Sequence, residues 1–361
     1  MTLYKRNDHP NTFVSTIRKL CNPLGFYKGY NFILFFILAG ALFGFALASS
    51  PKLNINDYFL SHAAPGEAYW YRQSIPNIGI TLHLFGVIPA SLLVVWQFVP
   101  VVRHKALLFH RINGYAVLLL LLVGNVGALM SARHAFGGSL AVQTAVGVLA
   151  IATATSSVLA YVNIKRLQIE QHRAWMLRTW IWAGCIVTVR LIQIAAVTIV
   201  SKIGTYQTVM PCEQIADAGG NATKYVGCQA DPTGYAVVHA AFADAKRIEE
   251  VAGAFHVTFG MAIWLAFVIH VVGGEVYLHL TTAEAERLRK ISYERQMERG
   301  MVSPGSAGLT SDRLGDCEPW QAPAKSEVVT RHGRTVHGVN IDGDDDDSDI
   351  SKPAAVLGWD K

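Results

Sequence analysis

Five histidines and one arginine are the residues of this chain whose type and placement could do chemistry. His83, His110, His172, His256 and His270 lie inside or at the mouths of long apolar segments, and Arg190 falls near the middle of one. Ionisable side chains are costly in hydrocarbon and mark pathways, ligand sets or buried hydrogen-bond networks. His256 and His270 are 14 residues apart, which on a helix brings them within roughly 40° of one face and about 21 Å apart along the axis. That separation suits ligands to two stacked haem b groups, and imidazole is a common axial ligand. On this reading His83 pairs with His256, His110 or His172 pairs with His270, and Arg190 neutralises a propionate. The alternative is that the histidines satisfy interhelical bonds or interfacial carbonyls, with Arg190 held by a backbone carbonyl, by Gln193 or by an anionic ligand. No catalytic residue and no metal set is assigned. The sequence carries no Ser/His/Asp or carboxylate-pair signature and no Gly-rich phosphate loop.

The elements that must position these residues are membrane spans. Of 361 residues, 52% are hydrophobic and 16% charged, with a mean hydropathy of +0.29. The apolar residues come in blocks of about 20, each long enough to cross roughly 30 Å of hydrocarbon. Such blocks fall at about 31–49, 77–100, 113–131, 140–162, 179–200 and 253–276, and in lipid their backbone groups are satisfied only as helices. The expected fold is therefore all-α: a polytopic transmembrane bundle of about six helices over 31–279, preceded by a cytosolic segment 1–30. The first block follows Lys5, Arg6, Arg18, Lys19 and Lys28 and reads as a retained signal anchor. Gly124 and Gly127 in the third block and Gly253 and Gly260 in the sixth would let helices approach closely.

Basic residues set the orientation. The amino-terminal segment, the loop with Arg103, Lys105 and Arg111, and the loop with Lys165, Arg166, Arg173 and Arg178 are rich in Lys and Arg, whereas the alternate short loops are poor in them. The positive-inside rule then puts both termini in the cytosol. The long loop 201–252 would face an oxidising compartment, consistent with Cys212, Cys228 and the sequon Asn221-Ala222-Thr223 that it carries. A disulfide there would close a loop of about 15 residues, worth about 3 kcal/mol on the chain-entropy model. Unpaired cysteines and an unused sequon are the alternative. Cys21, Cys185 and Cys317 show no motif spacing. After the sixth block, 280–361 reads as a solvated helix with alternating charges up to Arg299, then a disordered tail rich in Gly, Ser, Pro and Asp that includes Asp344 to Asp347. The net charge of +5 reflects the positive-inside bias and implies no nucleic-acid partner.

Three local constellations stand out: Leu82-His83, His110-Arg111-Ile112-Asn113-Gly114-Tyr115, and His172-Arg173-Ala174-Trp175-Met176-Leu177-Arg178 followed by Arg190. In these the chain resembles an uncharacterised family of multi-pass membrane proteins, one of the domain-of-unknown-function groups of bacteria and fungi, over about 78–195. The resemblance implies a helical bundle in which the His and Arg positions matter, without an assigned reaction. The histidine layering is similar to that of b561-type electron carriers. Those proteins draw ligands from four consecutive central helices, however, whereas the fourth segment here has no histidine. Three functional classes remain open at this stage: a haem-binding transmembrane electron carrier, a membrane-embedded enzyme or accessory factor acting on a lipophilic metabolite with His110, His172 and Arg190 lining a cavity, and a structural or partner-binding protein. The membrane is an endomembrane or the plasma membrane.

Overall fold

The computed structural model describes residues 21–305 except Tyr27, with Thr16, Arg18 and Lys19 before them and parts of 308–337 after them. The acidic run at 344–347 lies outside the described residues. Among the described residues, six helical stretches are long and apolar enough to cross a membrane. They are formed by α1 (Gly29–Ser49), α2 (Ser74–Val94), α3 (Leu107–Ser131), α4 (Leu140–Lys165), the collinear pair α5 (Ile169–Ala183) and α6 (Cys185–Ile203), and α7 (Ile248–Leu280). The protein is an integral membrane helical bundle, as the hydropathy predicts. Several spans reach further than their apolar blocks. His110 and His172 consequently sit inside the first turns of α3 and α5 rather than in loops.

Hydrophobic burial gives little drive to helix association in lipid, so close backbone approach and interhelical hydrogen bonds must carry it. The α2–α3 pair shows the first. A Cβ built on Gly127 would lie 2.3 Å from the backbone nitrogen of His83, and one on Gly86 would lie 2.5 Å from that of Gly124. No side chain fits in this seam. The second is supplied by Asn125, whose amide donates to Thr153 Oγ1 on α4 at 3.0 Å, by Thr179 donating to Ser156 at 2.7 Å, and by Asn113 donating to the Leu93 carbonyl at 3.0 Å. Val142 and Ala145 of α4, Val189 of α6, and Phe259, Ile263 and Ala266 of α7 form the main apolar cluster. Phe36, Leu119, Ile151 and Leu191 are exposed on the outer faces, where acyl chains would cover them.

The chain between α6 and α7 is not an open loop but a folded cap. The αL residue Gly204 ends α6; strands β1 (Gln207–Pro211) and β2 (Tyr235–His239) then pair antiparallel, with Val209 opposite Val237. Two short helices, Cys212–Asp217 and Val226–Ala230, lie between the strands and are joined by the Cys212–Cys228 disulfide. Met210, Ile215 and Val238 are fully buried beneath them. Tyr225 donates to Glu249 at 3.0 Å, and burial together with that bond pushes its phenol up to about 12. This hairpin has no counterpart in the all-helical expectation, because its five-residue strands are too short to stand out in a 50-residue polar stretch. At the opposite, basic end, α8 (Thr282–Glu298) returns to the bundle through Ser292, which donates to Glu170 and accepts from the Ile169 backbone at 2.9 Å. A second unit, Tyr293–Lys361, includes the last turns of that helix and, in its described residues, a short antiparallel pair, Glu327–Val329 with Thr335–His337.

Candidate functional site

The polar centre of the bundle's cap half is built around Glu67, a residue outside every apolar block. The segment between α1 and α2 turns at Gly66, whose φ of 80° is a left-handed conformation that glycine adopts freely. The short helix Glu67–Tyr71 then runs inward. The cap holds it from above: Gln214 donates to the Gly66 carbonyl at 3.1 Å, Tyr69 donates to Glu213 at 2.5 Å, and Arg72 pairs with Asp217. Glu67 is left 3% exposed. Its two oxygens are both used, one accepting from the Phe136 backbone nitrogen at 2.8 Å and the other meeting His256 Nε2 at 3.0 Å. A carboxylate oxygen accepts, so the His256 nitrogen that faces it is the donor, and Nδ1 is the ring nitrogen that Glu67 does not use. That Nδ1 is buried and has no partner among the described residues. Gly137 lies against the ring with φ 79°, and a Cβ there would meet Nδ1 at 2.9 Å. Glycine is required at this position both for backbone conformation and for space.

Arg190 of α6 approaches the same centre. It donates to Gln193 at 3.2 Å and lies over the rings of Phe136 and Phe259 at 5.5 and 5.9 Å, within the range of cation–π attraction. It is within electrostatic reach of Glu67, Tyr71, Lys52 and His83. The sequence-level choice of partners for Arg190 thus resolves to Gln193 and two aromatic faces, with Glu67 as the nearby countercharge. Tyr71 is 5% exposed; burial, with the Glu67 carboxylate adding and Arg190 opposing, pushes its phenol far up. Gln193 is 2% exposed and its amide nitrogen is unpartnered among the described residues. The centre thus holds an imidazole with one open nitrogen backed by a carboxylate, a guanidinium, and an amide donor, under a cap and beside apolar walls. Such a set can move a proton at one atom of a bound molecule while the guanidinium holds negative charge developing on a neighbouring oxygen.

The other histidines go to separate places. His83 bonds the Gly124 carbonyl through Nδ1 at 2.9 Å, and His172 bonds the Ala160 carbonyl in the same way at 2.9 Å. His270 uses both nitrogens, on the Ile181 carbonyl at 2.6 Å and on Thr188 Oγ1 at 2.8 Å. His110 has a buried, unpartnered Nδ1 among the described residues. His83, His256 and Arg190 therefore gather near the cap, and His110 and His172 at the basic end, while His270 is absorbed between α5, α6 and α7. Sequence reasoning missed Glu67 and Tyr71 because neither lies in an apolar run. One signal was available: Glu67 is the only carboxylate between Asp57 and Glu170, so a countercharge for a mid-membrane arginine had few other sources. Asn221 is exposed, and its Oδ1 accepts from the Thr223 hydroxyl at 2.6 Å.

Comparison with known proteins matches the part of the chain that carries these helices. Residues 80–212 fit a family described as "Predicted membrane protein (DUF2306)". This stretch is thus similar to a membrane-protein domain of unknown function. It begins and ends close to the 78–195 on which the motif resemblance rests, and it includes His83, His110, His172 and Arg190 but neither Glu67 nor His256. A curated relative from Aspergillus versicolor, "Ava biosynthesis cluster protein G", is 25% identical over 326 residues, covering 75% of this chain and 95% of its own length. No solved structure matches the chain.

Proposed function

We propose that this protein is a membrane-embedded enzyme or accessory factor that receives a lipophilic biosynthetic intermediate at the capped Glu67–His256–Arg190 centre. The observation that carries the reading is the buried Glu67–His256 contact with an unpartnered Nδ1, with Arg190 in electrostatic reach of Glu67. A charged and hydrogen-bonding set is costly to hold at this depth, and a ligand bearing a carbonyl or acidic oxygen would use what the protein leaves open. The name of the Aspergillus versicolor relative, which places that protein in a biosynthesis cluster, supports the same reading. In this proposal the basic end and both termini face the cytosol and the cap faces the lumen or exterior, where Asn221 is glycosylated.

The test is metabolite profiling of a deletion strain complemented with wild type, His256→Gln or Arg190→Gln. Accumulation of an apolar intermediate in the deletion strain and in both variants, with normal protein levels, is the expected result. Full complementation by both variants would remove the centre from the function.

A haem carrier is the second reading, and one observation favours it. In His83 and His172 the Nδ1 bond to a backbone carbonyl leaves Nε2 without a partner among the described residues, the arrangement that orients and tunes a metal-bound imidazole. An absorption spectrum of the purified protein separates the two readings.

A further inference from the structure

A second cluster lies at the basic end of the bundle and takes no part in the centre described above. Its hub is Arg103, on the helical turn Pro100–Lys105 that precedes α3. Arg103 is within electrostatic reach of His110, His172, Arg173, Arg287 and Glu284. Glu284 also lies in reach of Arg173 and Lys28, but both of its oxygens already accept from Arg287, at 2.9 and 3.0 Å. Arg178 on the same end is likewise satisfied, by a two-pronged pairing with Glu275 at 2.7 and 2.8 Å.

Two guanidinium groups differ from these. Among the described residues Arg173 hydrogen-bonds only neutral hydroxyls, Tyr277 at 3.4 Å and Thr281 at 3.3 Å, and lies over the Tyr277 ring at 5.7 Å. Arg103 makes no hydrogen bond or ion pair among the described residues. Behind them stand two imidazoles with an open nitrogen each, His172 Nε2 and the buried His110 Nδ1. Like charges within reach of one another, with their nearby carboxylate Glu284 already committed to Arg287, repel. The planar donor forks of arginine match phosphate oxygens two at a time.

We propose that Arg103 and Arg173, with His110 and His172 behind them, form a binding site for a phosphate group, carried either by a lipid headgroup or by a soluble molecule. The guanidinium forks take the phosphate oxygens from two sides. The site is independent of the cap-side reading: it uses none of Glu67, His256 or Arg190, and its test reads binding rather than metabolite turnover.

The experiment uses the full-length protein in phosphatidylcholine nanodiscs. One arm adds phosphatidic acid and reads retained lipid by native mass spectrometry. The other reads thermal stabilisation by inorganic phosphate and pyrophosphate against chloride at equal ionic strength. R103Q and R173Q should each weaken binding about tenfold, the loss of one charge-assisted contact, whereas R178Q, whose guanidinium is held by Glu275, should not. Arg103 is exposed, so R103Q leaves the packing intact, and R103K retains the charge without the fork. Retention of phosphatidic acid without stabilisation by phosphate identifies a headgroup; stabilisation by phosphate identifies a soluble source. Binding in neither arm, or binding unchanged in both R103Q and R173Q, overturns the site.

Discussion

The bond between Glu67 and His256 is only as strong as the network that fixes both residues. Each Glu67 oxygen has a task, one toward the imidazole and one toward the Phe136 backbone nitrogen. Truncation to alanine leaves two buried donors without acceptors, at about 1–3 kcal/mol each. Glu67→Ala should therefore lower the melting temperature of the detergent-purified protein clearly, while Glu67→Gln, which keeps one acceptor, should lower it much less; equal melting of the two would show that the oxygens are not used. A steric prediction belongs to the same scale. A methyl group at residue 127 would sit 2.3 Å from a backbone atom of α2, a contact that no rotamer change relieves. Gly127→Ala should cost about 1–3 kcal/mol by overpacking, read as a lowered thermal or SDS-unfolding midpoint, whereas Gly147→Ala, with open space around it, should be neutral.

At the scale of elements, the cap and the short helix Glu67–Tyr71 act together, since Gln214, Glu213 and Asp217 all hold that helix from a segment that the Cys212–Cys228 bond closes. Cys212→Ser should reduce stability by about 3 kcal/mol on the chain-entropy account. It should also expose 204–247 to limited proteolysis, with spans α2 to α4 still protected; a protease pattern identical to wild type would separate the disulfide from the cap's integrity. How much of this was legible in the sequence follows from the physics of each element. The spans were readable because about 20 apolar residues in a row have only one backbone solution in lipid. The cysteine pair was readable because two of the chain's five cysteines share one loop. The descent of Glu67 into the bundle was not, because it depends on contacts with residues about 70 and 190 positions away along the chain, and hydropathy is blind to a polar segment that tertiary contacts pull inward. The histidines could be placed on their helices from the sequence but not given partners, since helix periodicity fixes the face of a residue but not which neighbour meets it.

For the whole molecule the remaining question is whether the bundle is built around bound haem or around an open polar centre. Two haems spanning about 21 Å would need His256 and His270 as ligands on α7. His256 would have to bind through Nδ1, against which Gly137 packs, or give up Glu67 and strand a carboxylate that is 3% exposed. His270 would have to give up either the Ile181 carbonyl or Thr188. His83 and His172 each leave Nε2 without a partner among the described residues, one in each half of the bundle, but the α7 residues they would pair with are already engaged. The network as it stands therefore favours the polar centre. Protein purified from cells supplied with excess haem precursor should show no Soret absorption, and His83→Ala should leave the spectrum unchanged. A Soret band lost in His83→Ala or His256→Ala would reverse the order of the two readings and make the Glu67 contact a resting arrangement that the cofactor displaces.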